Sequence, residues 1–269
     1  MTTATDRTIS TPDPYAEPEG SVRGPGVPFR RLALVELRKM VDTRAGLWML
    51  IVIGAICVVV VTAVLIWGDV SDFTLQSFLQ LNALVLVLLL PIVGIMAGTS
   101  EWSQRTGLVT FTLEPRRGRV VVAKLVAATI LGLALIAVAF VASAAAQLVA
   151  QVAHGADDGW HLGAGVGFGL VLTLVLYVLQ GVAFGFAFLN TAVAIVVSLV
   201  LPTVWSVATG LISWLDKAAN WLDLSRVTDP LTSGHMHGDD WAHLATSAAL
   251  WIGIPMAIGV WRVLTREVK

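Results

Sequence analysis

A chain of 269 residues that is 57% hydrophobic and only 13% charged, with a mean hydropathy of +0.82, lies far outside the range of an ordinary soluble domain. A single cysteine, Cys57, excludes an internal disulfide and any cysteine-based metal cluster. The formal net charge of −1 conceals a strong asymmetry in where the positive residues fall.

Residues 1–27 are polar, carry Pro12, Pro14, Pro18 and Pro25, and contain no apolar core of the kind a cleaved signal peptide needs. They read as a disordered tail, and residues 28–269 as one membrane domain. Next, "FRRLALVELRKMVDT" (29–43) fits an amphipathic helix. Phe29, Ala33, Leu34, Leu37, Met40 and Val41 fall on one arc, with Arg31, Glu36, Arg38, Lys39 and Asp42 mostly opposite; Arg30 and Leu32 break the pattern. Basic residues beside an apolar face suit the inner surface of a membrane.

Six apolar runs follow, at about 46–67, 77–98, 121–151, 162–188, 191–212 and 242–262. Each is long enough to cross a hydrocarbon core of roughly 30 Å as a helix. Trp48 and Trp67 bracket the first run and Trp241 and Trp261 the last, where an amphipathic ring prefers the headgroup level. Trp205 and Trp251 lie mid-span and read as packing residues. Between the fifth and sixth spans, "SWLDKAANWLDL" (213–224) repeats Trp214, Ala218, Trp221 and Leu222 at helical spacing, with Ser213 placed to cap it. It reads as a short amphipathic helix on the outer surface. The expected fold is therefore all-α: an integral membrane protein with six transmembrane helices and two interfacial ones.

Orientation follows from lysine and arginine. Seven lie before the first span, five in the 99–124 connection (Arg105, Arg116, Arg117, Arg119, Lys124) and three after 261, whereas the opposite side has only Lys217 and Arg226. This positive-inside bias puts both termini in the cytoplasm. The outer connections are acidic, with nine aspartates from Asp69 to Asp240.

Motifs for chemistry are sparse. No GxxxxGK[ST] loop and no HExxH occur, so neither nucleotide hydrolysis nor zinc peptidase chemistry is expected within this chain. "GHMHGDDWAH" (234–243) holds legitimate metal ligands but matches no standard spacing, and reads as a solvated loop. "GAGVGFG" (163–169) opens a span and reads as close helix packing, as does the Gly181–Gly185 pair. No span interior carries a charge; the polar set there is Asn82, Thr173, Gln180, Ser198, Thr203 and Ser206. Ion-coupled carriers usually need intramembrane carboxylates or broken helices, so that class is disfavoured. Pro91, Pro202 and Pro255 fall inside spans and can bend them.

One stretch stands out: "EWSQRTGLVTFTLEPRRGRVVVAK" (101–124), a dense run of charge between two spans. Glu101, Arg105-Thr106-Gly107, Pro115-Arg116-Arg117-Gly118-Arg119 and Ala123-Lys124 form an ordered series. Together with a basic amphipathic helix before six spans and an outer helix before the sixth, this series resembles the permease subunits of the type-2 ABC exporter family, over roughly residues 28–265. The resemblance implies a plasma-membrane permease that forms its pathway as a dimer, with a second copy or a related permease. It also implies a separate ABC ATP-binding subunit that docks on a coupling helix between spans two and three. On that reading Glu101, Arg105, Thr106, Pro115, Arg119 and Lys124 belong to the coupling region, with Trp102 among the residues that pack there. Arg105 stands one helical turn from Glu101 and can pair with it. The connection 188–191, "FLNT", departs from the pattern in being nearly absent. The permease itself is then not an enzyme and needs no cofactor or metal; lipid is a partner and nucleic acid is not. Two other readings stand beside it: a non-transporting accessory or sensor subunit of similar fold, and a basic run that serves only to fix topology on anionic lipid.

Overall fold

Two helices in the middle of the chain touch nearly backbone to backbone, and the remaining elements pack around them. The structure, a computed structural model, describes residues 27–104 and 106–265. The expected tail therefore lies outside the described residues except for its last position. Among the described residues the chain is all-α, and six helical segments are long and apolar enough to cross a membrane.

In chain order the helices are α1 (Phe29–Asp42), α2 (Arg44–Trp67), α3 (Leu75–Ser103), α4 (Gly107–Leu113), α5 (Arg117–His154), α6 (Ala164–Phe188), α7 (Thr191–Leu211), α8 (Ser213–Leu222), α9 (Leu224–Thr232), α10 (Gly238–Ala248) and α11 (Ile254–Thr265). A π turn, Ala249–Gly253, joins α10 to α11, so the last span is one segment from Gly238 to Thr265. Pro255, just after that turn, has no N–H, and in a regular α-helix its ring would crowd the carbonyl four residues back, which the wider π turn relieves. Helices α3 and α5 run past their apolar stretches, to Ser103 and from Arg117. This carries Glu101 and Lys124 on helical backbone rather than in loops.

The axis is α3 against α6. Gly94 and Gly98 of α3 face Gly181 and Gly185 of α6; a Cβ on Gly94 would stand 2.3 Å from the Val178 carbonyl oxygen, and one on Gly181 only 2.0 Å from that of Pro91. Lipid tails are as apolar as leucine, so membrane helices associate through close packing, which small residues permit. The two are the most buried spans, and α2 and α7 the least. Asn82, as expected of an interior amide, ties α3 to α5 by donating to Ser143 Oγ at 2.9 Å. Ser198 and Thr203 instead donate to carbonyls of their own helix, at Ile195 and Leu199.

Two expectations change. In α1 the inward face includes Leu32 and Glu36, while Phe29 and Leu34 are exposed. The helix turns a carboxylate inward because charged partners wait there, a pairing that a count of apolar positions does not register. The second change concerns the segment before the last span. Ile212 is the N-cap residue and Ser213 already belongs to the helix. The helix breaks at Asp223, and a second helix, α9, begins at once. The Leu222 carbonyl accepts from Trp251 Nε1 at 2.6 Å and from Ser247 Oγ at 3.4 Å, well along the final span. From there α9 returns along α6 until Leu231 closes on Gly169, where a Cβ would lie 1.7 Å from the Leu231 carbonyl oxygen. The expected amphipathic helix is thus present as α8, and its Leu222 end packs into the bundle, where the chain turns back as α9.

Valine at position 181 must push α3 and α6 apart. Gly181→Val is expected to cost about 1–3 kcal/mol or to abolish accumulation of folded protein. Gly54→Val, where nothing lies within 4 Å of the new Cβ, should leave the thermal unfolding midpoint in detergent unchanged.

Candidate functional site

Four charged side chains meet at the end of the bundle where α3 finishes and α5 starts. Lys124 Nζ lies 2.6 Å from Glu36 Oε2 and 2.7 Å from Glu101 Oε2. Lys39 Nζ lies 2.7 Å from Glu36 Oε1 and 3.2 Å from Glu101 Oε1. Each carboxylate therefore receives both ammonium groups, one on each oxygen, and the four charges close into an alternating ring that sums to zero. Ser100 Oγ accepts from Lys124 at 2.7 Å and donates to Glu101 Oε2 at 3.0 Å, and the Ala97 carbonyl accepts from Lys124 at 3.2 Å. Glu36, Glu101 and Lys124 are 2–3% exposed, so the ring is sealed from solvent apart from Lys39.

The ring fastens α1 to α3 and α5. Burial alone would weaken the Lys39 ammonium, but the hydrogen bond and charge of Glu36, with the charge of Glu101, outweigh it and hold its pKa above the ordinary lysine range. A raised lysine pKa stabilises the fold throughout the neutral range and stops doing so only as pH rises past the raised value. Desolvated charges held this way contribute little net stability as a set, yet removing one partner leaves an uncompensated charge.

On this frame sits α4. Trp102 and Phe111 rings approach at 6.3 Å between centroids, the Arg117 guanidinium lies 4.8 Å over the Phe111 ring, and Lys39 reaches Thr110 Oγ1 at 3.5 Å. These contacts fix one face of the helix. The other face presents Leu108, Val109 and Leu113, which are 55%, 61% and 74% exposed. Thr106 is the N-cap residue of α4, with its carbonyl accepting from the Thr110 N–H at 3.0 Å. Pro115 lies in the connection to α5, and its carbonyl accepts from the Arg117 N–H at 3.0 Å. Arg119 bridges Glu114 at 2.9 Å and the Val27 carbonyl at 2.7 Å. Arg105 lies outside the described residues, so the expected Glu101–Arg105 pair cannot be placed; the Glu101 carboxylate is engaged by Lys124 and Lys39. Basic side chains knit the same end elsewhere: Arg117 donates to the Val263 carbonyl at 3.0 Å, and Arg262 to that of Ala187.

Of the seven residues singled out in the sequence, the structure brings Glu101 and Lys124 into direct contact and sets Trp102, Thr106, Pro115 and Arg119 around the short helix beside them. Glu101 and Lys124 are too buried to touch a partner; they hold the frame. Glu36 and Lys39 complete the ring and were missed, because helical periodicity sends both to the solvent side of α1. Their spacing of three residues on a helix leading to a span was the only available sign.

Two further placements bear on function. His237 and Asp240 form a reciprocal cap on α10, with the His237 N–H donating to Asp240 Oδ2 at 2.8 Å. Among the described residues no three of His, Cys, Asp and Glu converge as a metal site. Asp223, by contrast, is carried into the bundle by the α8–α9 break and is buried there. The apolar stretches of the spans are uncharged, but the bundle they form is not.

No family model matches this chain, and no curated protein matches it.

Replacing Lys124 by Met leaves Glu36 and Glu101 facing each other with one cation between them. The expected loss is about 3–5 kcal/mol, read as a lower unfolding midpoint, against about 1 kcal/mol or less for Arg119→Met at the partly exposed Glu114 pair. Adding Glu101→Gln to Lys124→Met restores neutrality and should recover part of the loss.

Proposed function

We propose that this chain is the membrane permease subunit of an ATP-driven exporter of the type-2 ABC kind. It would work as a dimer, with a second copy or a related permease, above a separate ATP-binding subunit, in a plasma membrane with both termini cytoplasmic. One observation carries the reading. The connection between the second and third spans folds into a short helix with an exposed apolar face, mounted on a buried ionic ring that joins α1, α3 and α5. Force applied to α4 by a docking subunit would reach two spans through rigid contacts. Exposed leucine and valine grouped on one face form an apolar patch that a partner can cover. The fifteen-to-two distribution of Lys and Arg supports the orientation, which places α4 in the cytoplasm.

A second reading has gained one observation. Asp223 inside the bundle is the kind of carboxylate an ion-coupled carrier needs. The two separate on energy source: the exporter depends on ATP hydrolysis by its partner, and the carrier on a proton or sodium gradient without it. A non-transporting accessory subunit would show neither, and substrate would not stimulate the partner ATPase.

Orientation is tested with single cysteines in a Cys57→Ala background. Cysteines at Ser71, Ala156 and Ser233 should label from outside intact cells and one at Ser103 should not; external labelling at Ser103 would invert the arrangement. For coupling, Leu108→Asp and Leu113→Asp should lower transport about tenfold or more while insertion and dimer assembly persist, and ATPase activity should continue without responding to substrate. Transport and hydrolysis are measured in the same proteoliposomes. Undiminished coupled transport by both variants would remove α4 from the mechanism.

A further inference from the structure

Beside the α8–α9 break lies a partly open cavity of about 350 Å³, lined by α3, α6, α7 and the start of α9. Its walls are mostly apolar, with Leu88, Leu199, Pro202 and Trp251 among them. Tyr177, Gln180, Ser198, Thr203 and Ser225 add polar groups to the lining, and two further polar atoms in it have no partner among the described residues. Asp223 is 5% exposed, and its Oδ1 caps α9, accepting from the Ser225 N–H at 3.0 Å, Ser225 Oγ at 2.6 Å and the Arg226 N–H at 3.4 Å. Its Oδ2 is buried and has no hydrogen-bond partner among the described residues, and neither has Trp205 Nε1. The cation nearest in sequence does not neutralise the carboxylate, because the Arg226 guanidinium is held on Asp216 at 2.6 Å. Among the described residues no lysine or arginine lines the space. Trp251, Ser198 and Thr203 spend their donors on backbone carbonyls.

A buried carboxylate oxygen without a donor is costly, and more so in a wall of leucine, proline and indole. Capping explains Oδ1 but not Oδ2, since Asn or Ser would cap α9 without burying a charge. We propose that this cavity binds a lipophilic amine, a monocation whose ammonium sits on Asp223 Oδ2 while its apolar body lies against the Leu199, Pro202 and Trp251 walls. The indoles of Trp205 and Trp251 add attraction for a cation. A bare divalent ion is a poor fit, because it favours several charged oxygen ligands and Asp223 is the only carboxylate among the described residues that line the space. The size matches a small drug-like molecule. That such amines are the exported substrate rests on the permease reading; that they bind here does not.

Equilibrium binding to the purified full-length chain in nanodiscs tests this, with empty nanodiscs subtracted for partition into lipid. The probes share one body and differ in charge: tritiated 2-naphthylethyl-dimethylamine, 2-naphthylethanol and 2-naphthylpropionate. Saturable binding of the amine alone is expected. Asp223→Asn keeps the cap and shape and should weaken binding about tenfold or more; Asp229→Asn, an exposed carboxylate on α9, should not change it. If Asp223→Asn fails to fold, Leu199→Trp fills the cavity with Asp223 intact and should abolish binding by itself. Equal binding of the neutral or anionic probe, or wild-type affinity in Asp223→Asn or Leu199→Trp, overturns the assignment. So does saturable uptake of sodium without the amine, which would mark an inorganic cation site. ATP-dependent export of other compounds with no amine binding would sink the site and spare the permease reading; amine binding with no ATP-dependent transport would do the reverse.

Discussion

The contact between α3 and α6 is the constraint on which the rest depends. In lipid there is no hydrophobic gain from bringing helices together, so the pair must be held by packing that larger residues would forbid. Gly94 and Gly98 on one side and Gly181 and Gly185 on the other provide it. Each helix then has faces left over, and those faces define the two regions of interest. The end of α3 that carries Glu101 holds the ionic ring with α1 and α5. Elsewhere α3 and α6 wall the cavity into which α9 brings Asp223.

The two regions are built on opposite electrostatic plans. In the ring every carboxylate oxygen has an ammonium, the charges cancel, and the arrangement is stiff. In the cavity one carboxylate oxygen has no partner among the described residues, in a mostly apolar wall. A satisfied network suits a mechanical joint, and an unsatisfied group suits a place where something else is to bind. Because both rest on α3, a displacement of α4 and the ring has a direct route along one helix to the cavity. Pro91 lies on that route, facing Gly181, where the missing N–H loosens the helix locally.

Most of the architecture was legible in the sequence. Apolar runs of span length located the six helices that, among the described residues, are long and apolar enough to cross a membrane, since in hydrocarbon such a run must satisfy its own backbone as helix. The boundaries fell short where charge sits on helix: α3 runs past 98 to Ser103 and α5 begins at Arg117 rather than 121, so Glu101 lies on helix although hydropathy falls there. The ring was half visible, through Glu101 and Lys124, and its other half was hidden by a rule that usually works. Glu36 and Lys39 fall on the polar arc of α1, and only the position of α3 and α5 turns that arc inward. Asp223 was hidden for a similar reason. It belongs to a short amphipathic segment that reads as interfacial, and nothing local says that its helix will break and enter the bundle. The exposed apolar face of α4 was partly visible, as Leu108 and Val109 within a charged stretch.

The central claim is that α4 is where another subunit pushes. A photo-crosslinking amino acid at position 109, on the exposed face of α4, reports directly on what covers that face in native membranes. The account predicts one dominant protein adduct, identified by mass spectrometry as an ATP-binding cassette subunit, and lost when Leu113 is replaced by Asp. Adducts to lipid alone, or to no ATP-binding protein, would contradict it.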